Sequence, residues 1–149
     1  MPAAAIISVA SPAYAAQYLS IDEARKQAFP QASNFVEVQP GRAWKAEAGG
    51  RVAGFFILDR VIGKHLYIDY AVALTPTGTV QSVEILHYRE SYGGEISNRS
   101  WLAQFVGKTS RNKLKINDDI RNIAGATLSS SHLTEAVKRL LAAYANRLR

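Results

Sequence analysis

Apolar and polar positions along the chain follow two periods, and these divide it into a helix, a run of strands, a short helix and a long helix. From His65 to Thr75, Leu66, Ile68, Tyr70, Val72 and Leu74 stand at every second position, the spacing of a strand with one buried face. From Val80 to Arg89 the same alternation predicts Val83, Ile85 and His87 on one face. Ser82, Glu84, Leu86 and Tyr88 fall on the other. Arg51 to Val61 is rich in apolar and aromatic residues, and Ala43 to Ala48 precedes it. Gly49-Gly50 between them is a two-residue hairpin signal. Phe35 to Val38 is a further short strand, closed by Pro40-Gly41. Gly63-Lys64 and Thr75-Pro76-Thr77-Gly78 supply the remaining turns. Consecutive strands joined by short turns predict an antiparallel β-meander.

The helical segments carry their own start and stop signals. Ser20-Ile21-Asp22-Glu23 fits a capping box, in which the serine caps the first turn and the glutamate reaches back. Ala24, Ala28 and Phe29 can turn inward, and Pro30 ends the helix. Ser97 or Asn98 can cap a short helix containing Trp101, Leu102, Phe105 and Val106, ended by Gly107. Leu133, Ala136, Val137, Leu140, Leu141 and Tyr144 recur on one helical face. Ser129, Ser130 and Ser131 are expected to cap this last helix, which leaves Thr127 just before its N-terminus. The pattern predicts an α+β fold: an antiparallel sheet with helices packed on it and a C-terminal amphipathic helix.

Composition narrows the chemistry. With 149 residues the chain suits one domain with one core. The absence of cysteine excludes disulfides, thiolate metal sites, iron–sulfur ligation and Cys-linked haem. The formal charge of +6 is spread along the chain without a basic run, so a solvated basic surface is expected and nucleic-acid binding is not. His65, His87 and His132 are isolated and lack metal-ligand spacing. No Gly-x-Ser-x-Gly element and no strand-linked Gly-x-Gly-x-x-Gly is present, and no residue is assigned a catalytic role. Residues 1–15 are uncharged after Met1 and end in Ala13-Tyr14-Ala15, a signal-peptidase pattern lacking the basic start of a full leader. A truncated signal peptide over 1–15 is expected, followed by a single domain over 16–149 that is periplasmic or otherwise exported.

The candidate chemistry lies at Gly125-Ala126-Thr127. A helix start carries unpaired N–H groups and the positive end of the macrodipole, which suits a phosphate. Gly125 and Ala126 leave room for a ligand beside the backbone, and Leu128 and Ser129 follow directly. From these residues alone, a tight turn capped by serine is the favoured reading. A second block, Glu90-Ser91-Tyr92-Gly93-Gly94-Glu95-Ile96, leads into Phe105-Val106-Gly107-Lys108.

The run Ile123-Ala124-Gly125-Ala126-Thr127-Leu128-Ser129-Ser130 resembles the flavinylation motif of the FMN-binding domain family. That family includes peripheral flavin subunits of the sodium-pumping NADH–quinone oxidoreductase and of the Rnf complex. Glu90, Gly93, Gly94, Ile96, Phe105, Gly107 and Lys108 match its other signature, and the resemblance spans roughly residues 50 to 145. Two positions depart from the family pattern. Ala124 stands where serine or threonine is common, and Arg121 where aspartate is common.

The resemblance implies an FMN cofactor esterified through its phosphate to Thr127 by a dedicated flavin transferase. It also implies redox partner proteins, membrane-bound ones among them. An isoalloxazine ring needs a flat apolar wall and a few directed polar groups. Backbone amides at Gly93 and Gly94, a ring face of Tyr92 or Trp101, and the charge of Lys108 are the candidates for these, with Glu90 beside them. The chain then reads as an electron carrier or redox-complex subunit in place of a stand-alone oxidoreductase. The alternative is a module that holds flavin or another anionic ligand without the ester.

Overall fold

The computed structural model describes residues 19–90 and 94–145. Strands β1 (Asn34–Gln39), β2 (Ala43–Ala48), β3 (Arg51–Ile62), β4 (Tyr67–Leu74) and β5 (Val80–Tyr88) form one sheet. Its spatial order equals chain order and every neighbouring pair is antiparallel. Helix α1 (Ile21–Ala28) precedes the sheet. A 3-10 turn at Gly94–Ser97, the single turn α2 (Arg99–Leu102) with a 3-10 continuation at Ala103–Phe105, and α3 (Thr127–Ala145) follow it.

Both faces of the sheet are covered. On β4 the even positions Ile68, Tyr70, Val72 and Leu74 join one core cluster with Phe105, Leu133, Val137, Leu140 and Leu141. The odd positions Ala71 and Ala73 join a second with Ala24 and Phe29 of the α1 segment, Phe56 and Leu86. Strand side chains alternate between faces, so α3 packs on one side and α1 on the other. All six residues of the expected α3 face are buried.

The capping box forms as the sequence predicts. The Ser20 hydroxyl accepts the Glu23 N–H at 3.1 Å, and the Glu23 carboxylate accepts the Ser20 N–H at 2.9 Å. Ser20→Ala is expected to cost about 1 kcal/mol, read as a lower urea midpoint at unchanged slope.

Three expectations are corrected. Leu66 lies outside β4 and is 47% exposed, because the Gly63 N–H donates to the Leu66 carbonyl at 2.8 Å and closes the turn before the strand begins. The strict alternation along β5 is broken by two bulges, where Asp69 and Tyr70 pair with His87 and Ile85, and Ala73 and Leu74 pair with Ser82 and Val80. Each bulge inserts a residue and inverts the facing beyond it. Tyr88 therefore joins Val83 and Ile85 in the α3-side core, while His87 lines a cleft with Asp22 and Arg25 of α1. Lastly, the helix around Trp101 is a single α turn running into 3-10, with Asn98 as its cap.

Candidate functional site

Three segments meet at one end of the sheet: the β3–β4 turn, the residues after β5, and the start of α3. Glu90 fastens the first two. Its carboxylate accepts the backbone N–H of Lys64 at 2.6 Å and of His65 at 2.9 Å. Gly63 lies between this carboxylate and α3. A Cβ built on it would stand 2.6 Å from Glu90 Oε2, 3.0 Å from Ser129 Oγ and 3.1 Å from Ile68 Cδ1. The missing side chain at Gly63 is thus what lets the turn close against both neighbours. His132, one turn into α3, places Nδ1 2.8 Å from the Gly63 carbonyl and 3.0 Å from that of Ile62. Two carbonyl acceptors require the proton on Nδ1, so this atom holds the turn and is not available to a phosphate.

Thr127 is the first residue of α3 and is exposed. The sequence reading placed it just before the helix with the three serines as caps. The helix instead starts at Thr127, with the Ala126 carbonyl accepting the Ser130 N–H at 2.9 Å. Ser129 and Ser130 are consequently buried inside the first turn. Gly125 has φ +85° with nothing within 4 Å of an added Cβ, so the chain turns into the helix beside open space. Leu128 is 48% exposed next to it. The Thr127 hydroxyl accepts an N–H of the Asn122 carboxamide at 3.2 Å, and the oxygen of that carboxamide accepts the Ser130 hydroxyl at 3.1 Å. The N–H groups of the first turn have no acceptor within the helix. An accessible hydroxyl, a bare backbone approach and donors at a positive helix end fit a phosphate group.

The other expected site residues divide. Gly94 opens the 3-10 turn after β5, while Tyr92 and Gly93 lie outside the described residues. Trp101 is 5% exposed, donates its indole N–H to the Arg121 carbonyl at 2.6 Å and meets Phe105 edge-on at 5.3 Å. Packing holds it, with no ring face open to a planar ligand. It serves the site indirectly by anchoring the segment that leads to Asn122 and Thr127.

Lys108 belongs to the opposite end of the sheet. Its carbonyl accepts the N–H of Val80, the first residue of β5, whereas Glu90 follows the last. Nine residues of strand separate them by roughly 26 Å, beyond the reach of a lysine side chain. The Lys108 charge is instead felt by Asp119. Partial burial there works to raise the carboxyl's pKa, but the N–H groups of Lys115 and Leu114 and the Lys108 charge bring it below the ordinary value. The sequence marks Gly63 only as a turn residue and does not mark Asn122 at all. Their contacts run to positions fixed only by the fold, although an asparagine in a helix lead-in is a recurrent local hydrogen-bonder.

The model of the FMN-binding domain matches residues 63–142, more than half of the chain. The chain belongs to the FMN-binding domain family. The match begins at Gly63 of the turn and ends within α3, so it contains Glu90, Asn122, Thr127, Ser130 and His132 of the junction just described. FMN is the cofactor of this domain. Among solved structures, NqrC of Shewanella oneidensis shares the fold, with a TM-score of 0.57 and 15% identity over 88% of this chain and 77% of that one. No curated protein matches the sequence.

Proposed function

We propose that this FMN-binding domain is an exported electron-transfer module whose flavin phosphate is esterified to Thr127. The observation that carries the reading is the exposed Thr127 hydroxyl at the first turn of α3, beside the open approach at Gly125. Bound FMN accepts electrons in pairs and releases them singly, which joins two-electron to one-electron partners. The chain's own part is to hold the phosphate. First-turn amides and the helix dipole favour an anion there by about 0.3–1 kcal/mol, and Leu128 offers apolar surface next to it.

The modification is a balanced phosphoryl transfer. The Thr127 Oγ1–phosphorus bond forms as the phosphoanhydride bond of a flavin dinucleotide breaks, the nucleoside monophosphate leaves with the bridging oxygen and its electron pair, and the hydroxyl proton passes to a base on the flavin transferase. The partners proposed are this transferase for maturation and redox proteins, membrane-bound ones among them. The fold shared with NqrC is compatible with such a role.

The test is intact mass and peptide mapping of protein co-expressed with a flavin transferase and recovered from the exported fraction. The expected product carries the mass of FMN minus water on the peptide containing Thr127. Its N-terminus is expected at Ala16 or Gln17. Unmodified mass together with yellow colour that washes out in denaturant would establish the non-covalent module in its place, and an intact Met1 would remove the leader.

A further inference from the structure

We propose that Asn122 is the positioning residue for modification at Thr127, an inference that rests on the covalent reading above. Its carboxamide is held at both ends. Nδ2 donates to Thr127 Oγ1 at 3.2 Å, and Oδ1 accepts from Ser130 Oγ at 3.1 Å. Ser130 is fully buried in the first turn of α3, so the carboxamide plane is referenced to the rigid helix. The segment carrying Asn122 is itself anchored one residue earlier, where the Arg121 carbonyl accepts the Trp101 indole N–H and the Arg121 N–H donates to the Gln104 side chain. Asn122 thus transmits the position of the core to an exposed hydroxyl.

The polarity of this bond matters. Thr127 Oγ1 acts as acceptor, so its own proton stays available to an incoming base, and the rotamer that presents the oxygen is selected before the transferase arrives. A donor on a nucleophilic oxygen withdraws some electron density, which opposes reaction. That penalty is bounded by the strength of a neutral hydrogen bond. The same N–H gains more when the phosphate comes within reach, because bonds to an anionic oxygen are roughly twice as strong as neutral ones. An interaction that strengthens along the reaction raises the rate. The bond is therefore worth most in the phosphoryl-transfer step and least in the resting chain.

Two substitutions separate this role from a structural one. Asn122→Asp keeps an acceptor for Ser130 but removes the donor and adds a negative charge facing the phosphate. Asn122→Ala removes both, while Ser130 Oγ keeps the Thr127 carbonyl as an acceptor at 3.2 Å. Purified transferase, a flavin dinucleotide and the full-length protein are combined, and adduct formation is followed by intact mass at several protein concentrations. Both variants are expected to slow the maximal rate by roughly tenfold or more, the aspartate variant most. The half-saturating protein concentration and the thermal midpoint are expected to stay at wild-type values. A wild-type rate in either variant overturns the assignment, as does a loss confined to half-saturation or to thermal stability. An unmodified wild type, by contrast, sinks the covalent reading and this inference with it, so the two failures are told apart by the control.

Discussion

Gly54→Ala is expected to remove a large share of this domain's stability margin. Gly54 sits in β3 next to a bulge, where Ala46 and Glu47 of β2 pair with Gly54 and Val52. Its φ is +154°, and a Cβ there would stand 2.2 Å from the Leu74 carbonyl oxygen and 2.6 Å from the Phe29 ring. The ring can swing aside. The carbonyl cannot, because it belongs to the backbone of β4, whose Leu74 pairs with Phe55 in the β3–β4 ladder. Overpacking alone costs about 1–3 kcal/mol, and the strained φ adds roughly 1 kcal/mol or more. Together they take a large share of the 5–15 kcal/mol typical of a domain. The urea midpoint should fall steeply, with far-ultraviolet circular dichroism following it. A midpoint unchanged within error would mean that the two central strands part without cost, and the described packing would be wrong.

The second large effect is chemical. Thr127→Val is expected to abolish the proposed covalent adduct while leaving the fold. Valine is nearly isosteric with threonine and keeps its branched Cβ, but it has no oxygen to esterify. The position is exposed, so the Asn122 amide that loses its acceptor can turn to water. Stability should therefore change by less than about 1 kcal/mol. The neighbouring serines are poor substitutes for structural reasons. Ser129 and Ser130 are buried, and the Ser130 hydroxyl is engaged by Asn122. Acid-stable flavin on the valine variant, or an adduct mapped to Ser129, Ser130 or Ser131, would refute the assignment of Thr127.

What could be read from the sequence was local. The capping box at Ser20 and Glu23 depends on residues three apart, and the Gly49-Gly50 hairpin on adjacent ones. The inward faces of β4 and α3 follow from periodicity, which any regular element must obey. The departures arise where a residue's environment is set by a partner distant in sequence. The bulges that turn His87 away from Val83 and Ile85 are properties of the β4–β5 pairing, and nothing in the β5 segment by itself marks them. Leu66 satisfies the strand period yet lies in a turn closed by Gly63. Glu90 matched a family signature, but its grip on Lys64 and His65 spans the whole β4–β5 hairpin. Lys108 matched the same signature, and the sheet carries it to the far end from Thr127.

Glu90 holds the β3–β4 turn by its main chain, and this leaves the side chains of Lys64 and His65 uncommitted. Both are exposed, and neither side chain has a hydrogen-bond or ion-pair partner among the described residues. The shape of the turn is thereby uncoupled from its charge. Lys64→Glu would reverse the local sign beside the N-terminal end of α3 while the two N–H groups that fix the turn remain in place. The charge of this rim can therefore be retuned without rebuilding the scaffold beneath it.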